Sequence, residues 1–237
     1  MPERKRARRP QAHSRKITAE DLYRFRLITD SQISPDGKHV VYSVQRVDRK
    51  TEKKFANLWL APTGAGRPKQ FTYGDHVDSQ PRWSPDGKTI AFLSNRGGGR
   101  TSHMYVIPVD GGEARQLTDI KGSFSTFEWS PDSRTIVCAF RRKDREALER
   151  EKNEDKKKLG IVARSIDRVF YKLDGAGFLP EERWHIWTVN ARTGKATQLT
   201  SGKKHDEYAP SWSPDGKRIV YLSNRSPDPD LKPDHID

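Results

Sequence analysis

Trp83-Ser-Pro-Asp-Gly-Lys88, running on into Thr89-Ile-Ala-Phe-Leu-Ser-Asn-Arg96, is the stretch that decides the fold. Its first half is a turn. Proline presets φ at the corner, Asp bonds backbone ahead of itself, and Gly accepts a positive φ. Its second half is a short strand, apolar at Ile90, Ala91 and Phe92 alike. A strand apolar on both faces is buried on both faces. The same phrase recurs at Ile33-Ser-Pro-Asp-Gly-Lys38, Trp129-Ser-Pro-Asp-Ser-Arg134 and Trp212-Ser-Pro-Asp-Gly-Lys217, with anchors 50, 46 and 83 residues apart.

The copies stay in phase beyond the turn. Seven positions past each anchor stand Val40, Ile90, Ile136 and Ile219, and two further on Tyr42, Phe92, Cys138 and Tyr221. Thirteen past each anchor stand Arg46, Arg96, Arg142 and Arg225. A second landmark, Gln70-Phe-Thr72, Gln116-Leu-Thr118 or Gln198-Leu-Thr200, precedes the next Trp by 12 or 13 residues. Between them lie a third strand, such as His103-Met-Tyr-Val-Ile-Pro-Val109, and a Gly-containing hairpin turn at Asp110-Gly-Gly112 or Arg192-Thr-Gly194. A period of this length, built of four strands, is that of a propeller blade.

The sequence therefore predicts an all-β chain: a β-propeller of four-stranded blades, incomplete at about three and a half, with a short N-terminal helix and a charged helical insertion. Residues 1–16 read as a basic tail and 17–30 as a lead-in. Within it Thr18 to Arg26 forms a helix capped by Thr18, with Asp21 three residues on. The partial propeller occupies 31–237, with blades at 31–72, 73–118, 119–200 and 201–237. Blade three carries an insertion at 141–183, and blade four stops after two strands. Ser133 stands where the other turns have Gly, which predicts a slightly different turn. The insertion is charged through Lys158. It turns apolar from Leu159 to Phe178, which predicts an extra strand or a hairpin packed on the propeller. Two open blade faces are expected, each apolar, and truncation explains them more simply than ring closure by a second copy, the homo-oligomer alternative.

Composition narrows the function classes. The net charge of +13 is concentrated, with +6 in residues 1–16 and +3 in 141–158, so it marks a tail and an insertion, not a nucleic-acid surface. A lone cysteine, Cys138, excludes an internal disulfide and a cysteine-rich metal site, and its strand position makes it a small core hydrophobe. No apolar run reaches the roughly 18 residues that span a bilayer. The expectation is a cytoplasmic protein with no cofactor, no nucleic-acid partner and no membrane contact.

Chemically suggestive residues follow the repeat as well. His76 and His205 both lie seven before their Trp, and Asp78 and Glu207 both lie five before it, while blade three has Gly122 and Phe124 there. One His and one carboxylate per loop could suit a metal. Their separation by a blade lacking both favours a His–carboxylate hydrogen bond that ties each loop down, and no metal is expected. In a complete enzyme these loops could also line a substrate mouth. The aligned arginines are expected to pair within their blades. Glu181 and Glu182 read as a solvated turn, and Gly97-Gly-Gly99 as a hairpin turn with no phosphate-binding Lys after it. Trp83, Trp129 and Trp212, with Asp86, Asp132 and Asp215, are expected to be structural.

The phrases WSPDGK, IAF, SNR and DGGEARQLT resemble TolB-type propeller repeats. Ile17-Thr-Ala-Glu-Asp-Leu22 through Ile33-Ser-Pro-Asp36, and Tyr171-Lys-Leu-Asp-Gly-Ala-Gly-Phe178 before Ile186-Trp-Thr-Val189, resemble the start of the prolyl oligopeptidase family of serine peptidases, in its acylaminoacyl-peptidase and dipeptidyl-aminopeptidase branch. The resemblance covers residues 17–237. It implies a propeller that limits access of short peptides to an α/β-hydrolase domain carrying a Ser-Asp-His triad. No Gly-x-Ser-x-Gly elbow occurs in this chain, so no catalytic residue is assigned, and the triad is expected beyond Asp237. The alternative from another class is a non-enzymatic TolB-type propeller serving as a protein-binding platform.

Overall fold

A computed structural model describes residues 15–98, 101–166, 168–175, 177–233 and 235. Most of the basic tail, Gly99 of the triple-glycine turn and Ala176 of the 171–178 phrase lie outside them. The described chain opens with a 3₁₀ helix, Ala19–Arg24, shorter than the helix expected to Arg26. Thr18 is its cap, and the Thr18 backbone N–H donates to Asp21 at 2.9 Å. Phe25 is already extended, so strand β1, Leu27–Ile33, begins inside the stretch assigned to the lead-in.

Three antiparallel sheets of four strands follow, each in chain order from one edge to the other. The first joins β1, β2 (His39–Val47), β3 (Lys54–Pro62) and β4 (Lys69–Gln70). In the second are β5 (Asp78–Trp83), β6 (Thr89–Ser94), β7 (His103–Pro108) and β8 (Arg115–Gln116). The third begins with β9 (Gly122–Trp129) and β10 (Thr135–Arg142). Its chain then leaves for the insertion, helices α1 (Arg145–Glu151) and α2 (Glu154–Leu159) and a hairpin of β11 (Lys172–Leu173) and β12 (Gly177–Phe178). It returns as β13 (Trp184–Asn190) and β14 (Ala196–Gln198). Blade four is the pair β15 (Glu207–Trp212) and β16 (Ile219–Ser223).

The strand-one to strand-two turns are built alike. Ser34, Ser84, Ser130 and Ser213 donate from Oγ to the Asp two residues on at 2.5–2.6 Å. That Asp accepts in turn from the N–H of Lys38, Lys88, Arg134 or Lys217. The expected difference at Ser133 does not occur. Ser133 takes φ 59°, beside 71°, 70° and 68° for Gly37, Gly87 and Gly216. Its Oγ accepts from Asp86 N–H of blade two at 3.1 Å, a contact glycine lacks, which offsets the left-handed backbone.

Burial on both strand faces is what stacks the sheets. In β6, Ile90 and Phe92 pack toward Val41, Leu58 and Leu60 of blade one. Ala91 and Leu93 pack the other way, toward Phe127, Trp129 and Ile136 of blade three. Val137 and Ala139 face Trp212 and Ile219 of blade four. The anchors keep one register, Trp83 opposite Ile90, Trp129 opposite Ile136 and Trp212 opposite Ile219. Each also reaches the blade before it. Trp83 and Trp129 donate their indole N–H to the carbonyls of Gln32 and Arg82, and the Trp212 backbone N–H donates to Glu128.

Two features of the insertion differ from the sequence reading. Arg141 and Arg142 belong to β10, not to the charged excursion, because the ladder to Trp184 and to Ser123 and Gly122 holds them. The apolar stretch forms its hairpin, with Tyr171 and Phe178 rings 6.2 Å apart, yet Ile161, Val162, Ile166 and Val169 stay exposed instead of packing on the propeller. The insertion is held from the side instead, by a two-pronged Arg168–Asp230 pair at 2.8 and 3.1 Å. Apolar residues are exposed at both ends of the stack, Leu27, Ile28 and Ile33 on blade one and Val220 and Leu222 on blade four. Among the described residues no helix is long and apolar enough to cross a membrane.

Candidate functional site

The carboxylates singled out by the repeat lie at the seams between blades. Asp78 opens β5 and is fully buried. Arg96, just after β6, grips both its oxygens at 2.8 and 2.9 Å. Thr72 of blade one donates its hydroxyl to Asp78 at 2.5 Å, while the same hydroxyl accepts from Leu58 N–H at 2.9 Å. One threonine thus closes its own blade and fastens the next. Charge at both ends strengthens the Arg96 bonds, and the carboxylate charge alone strengthens and shortens the one from Thr72.

Glu207 repeats the arrangement between blades three and four. It is buried, accepts from Arg225 at 2.6 Å and from the Thr200 hydroxyl, and Thr200 Oγ1 accepts from Ile186 N–H at 2.9 Å. Burial pushes the Glu207 carboxyl up, but the bonds from Thr200, His185 and Arg225 outweigh it and hold it below the ordinary range. Its histidine is His185 on β13, 3.0 Å from Nδ1 to the carboxylate, with Nε2 3.0 Å from the Gly202 carbonyl. His205, expected as the partner, instead places Nδ1 2.7 Å from the Asn224 carbonyl. His76 Nε2 lies 3.3 Å from Asp78 but out of hydrogen-bonding alignment. Reasoning from sequence missed His185 because it belongs to a different phase of the repeat, alongside Asn57 and His103. Those positions precede the Leu58, Met104 and Ile186 amides that the threonines accept, and aligning on Thr72, Thr118 and Thr200 would have brought them out.

The seam between blades two and three lacks the carboxylate. Phe124 occupies its place and packs on Phe140, 4.7 Å between ring centres, with Trp187 beyond. Arg142, the aligned arginine, lies over the Trp187 ring at 4.8 Å. Gly122, at the other position, has no room for a Cβ, which would fall within 2.1 Å of the Arg141 carbonyl oxygen. Thr118 still accepts from Met104 N–H at 3.2 Å. His103 Nδ1, buried, has no hydrogen-bond partner among the described residues. Of the aligned arginines Arg96 and Arg225 pair with carboxylates of their own blade, and Arg46 reaches Asp75 at 2.5 Å.

These carboxylates are therefore engaged in holding blades together. Glu181 and Glu182 form a turn whose backbone N–H groups donate to Asp144 at 3.3 and 3.0 Å. Burial pushes the Cys138 thiol far up, so it carries no thiolate at neutral pH. Among the described residues no group of three or more His, Cys, Asp or Glu could hold a metal ion.

A stack of four-stranded sheets pinned at equivalent seams defines a propeller protein. The family model of the TolB beta propeller domain matches residues 19–167, and the chain belongs to that family. It is 34% identical over 220 residues, 92% of its length, to the uncharacterized peptidase YuxL of Bacillus subtilis, and spans 33% of that protein. It is 40% identical over 83 residues to dipeptidyl-peptidase 5 of Porphyromonas gingivalis, which takes in 35% of this chain and 12% of that one. Among solved structures it resembles the acylaminoacyl peptidase of Pyrococcus horikoshii, with TM-score 0.63 and 21% identity over 84% of this chain and 28% of the other. TolB of Acinetobacter baumannii is similar with TM-score 0.53 and 20% identity, over 82% of this chain and 37% of that one. The structural likenesses speak for the fold alone.

Proposed function

We infer that the chain is the propeller part of a peptidase acting on short peptides, of the acylaminoacyl- or dipeptidyl-peptidase type. The observation that carries this reading is the identity to YuxL, which takes in the insertion as well as the blades. In this reading the blades form a rim that narrows access to an α/β-hydrolase domain, and that domain supplies the Ser-Asp-His triad. Buried latches at Asp78 and Glu207 suit such a rim, because a gate that excludes folded proteins has to keep its bore. Cytoplasmic location belongs to the same proposal.

The test is labelling with a fluorophosphonate serine-hydrolase probe. The 237-residue chain is expected to remain unlabelled, and the product of the gene read past codon 237 to label stoichiometrically and to hydrolyse peptide p-nitroanilides. Labelling of the short chain, or a longer product that stays inert, would overturn the reading. A binding platform is the second reading, favoured by the likeness to TolB. It expects further blades downstream and no Gly-x-Ser-x-Gly elbow.

A further inference from the structure

The repeat serves as a ruler for residues that a blade does not need. Twelve positions past the anchor the blades carry Gln45, Asn95 and Asn224, but blade three has Arg141. Asn95 accepts from Val77 N–H at 2.8 Å, and Asn224 from Ser226 N–H at 3.1 Å, so the amides organise nearby loops. Four positions before the anchor stand Thr29, Ser79 and Ser125, but blade four has Tyr208. Two positions before the amides bonded by the threonines stand Ala56 and Ser102, but blade three has Trp184. All three departures meet at one place, the seam between blades three and four where the insertion leaves and returns.

Arg141 lies opposite Trp184 in the ladder, and its guanidinium carbon is 4.6 Å from the centre of the Trp184 ring. Trp184 and Tyr208 are 6.4 Å apart, centre to centre. Among the described residues the Arg141 guanidinium has no hydrogen bond and no carboxylate within ion-pair distance. The neighbouring acids are engaged. Asp206 holds Arg183 at 3.1 Å and Trp184 N–H at 2.8 Å, Asp144 caps the Glu181–Glu182 turn, and Asp230 holds Arg168. Burial pushes the Tyr208 hydroxyl up to about 12, so it keeps its proton and can donate. Burial also works against the charge of Arg141, a penalty that a bound anion relieves.

With its carbon 4.6 Å from the centre of the Trp184 ring and its N–H groups without partners among the described residues, the Arg141 guanidinium offers a fork of donors that matches two oxygens of one carboxylate. We propose that Arg141, Trp184 and Tyr208 form a binding site for a carboxylate carried by a peptide. The guanidinium and the phenol hydroxyl hold the oxygens, and the indole lies against the adjoining chain. That the carrier is a peptide rests on the peptidase reading, whereas the anion chemistry stands on the geometry alone.

Isothermal titration of the 237-residue chain with N-acetyl-triglycine, its C-terminal amide, N-acetyl-glutamate α-amide and inorganic phosphate tests the site. A peptide acid is expected to bind at least about tenfold more tightly than the neutral amide. R141Q is expected to abolish that preference, R141K to retain part of it, and Y208F to weaken it severalfold with an unchanged melting temperature. Preference for N-acetyl-triglycine identifies a chain terminus as the source, preference for the glutamate ligand an acidic side chain, and either supports the site. Equal binding of acid and amide, displacement by phosphate at equal concentration, or wild-type behaviour of R141Q would overturn it. Such a failure leaves the peptidase reading to fluorophosphonate labelling, while failed labelling with Arg141-dependent binding intact removes the peptidase and keeps the site.

Discussion

The seams on either side of blade two solve one problem with opposite chemistry. Toward blade one, Thr72, Asp78 and Arg96 form a buried polar chain. Toward blade three, Phe124, Phe140 and Trp187 replace it with stacked rings, and Arg142 lies on the outermost of them. The polar seam is directional, since every donor and acceptor must be in register. The aromatic seam depends on contact area and tolerates sliding. The difference teaches that a propeller needs cohesion at each seam but not the same cohesion, and that replacing one carboxylate by a ring changes what its partners do. His103 and Arg142 are the evidence, one left with a ring nitrogen unpaired among the described residues and the other turned to a π face.

The largest effect is expected from Asp78→Ala. Removing one partner of a buried ion pair leaves the other uncompensated, and a loss of about 3 kcal/mol follows. Urea unfolding measures it, and a loss below about 1 kcal/mol would mean that the seam is held by apolar packing alone. A matched pair sharpens the contrast. Thr72→Val removes an acceptor for Leu58 N–H and a donor to Asp78, whereas Thr118→Val removes only the acceptor for Met104 N–H. About 2 and about 1 kcal/mol are expected, and equal losses would erase the distinction between the seams.

The smallest effect is one of pH, at Glu207. Its carboxyl titrates lower in the folded chain than in the unfolded one, where about 4.3 is usual. The unfolded state therefore binds its proton first as pH falls. The stabilisation is present in full above the unfolded value and is lost as pH falls through the lower folded value. Melting temperatures of wild type and Glu207→Gln between pH 3 and 7 should converge at the acid end, and a gap that stays constant would refute the assignment.

The lead-in and the insertion mark where legibility ended. The blade unit was readable because turn chemistry at Ser84 and Asp86, and apolarity on both faces of Ile90 to Leu93, are local properties of the chain. The end of β10 was not, because Arg141 and Arg142 look like the charged residues after them, and only pairing with Trp184 and Gly122 keeps them in the strand. At Ser133 composition misled, since the neighbouring blade supplies the contact that keeps a serine left-handed.

By itself, then, the amino-acid order determined the repeating unit and its number of strands, and picked out Asp78 and Glu207 as equivalent positions in it, since periodicity in the chain becomes periodicity in space when identical units stack. That both are buried at strand starts came from the folded chain. Only the folded arrangement decided that Glu207 meets His185 and not His205, and that Arg141, Trp184 and Tyr208 share one seam. Those residues come from different strands, two of them on either side of the insertion, and their distances depend on how the sheets stack rather than on spacing along the backbone.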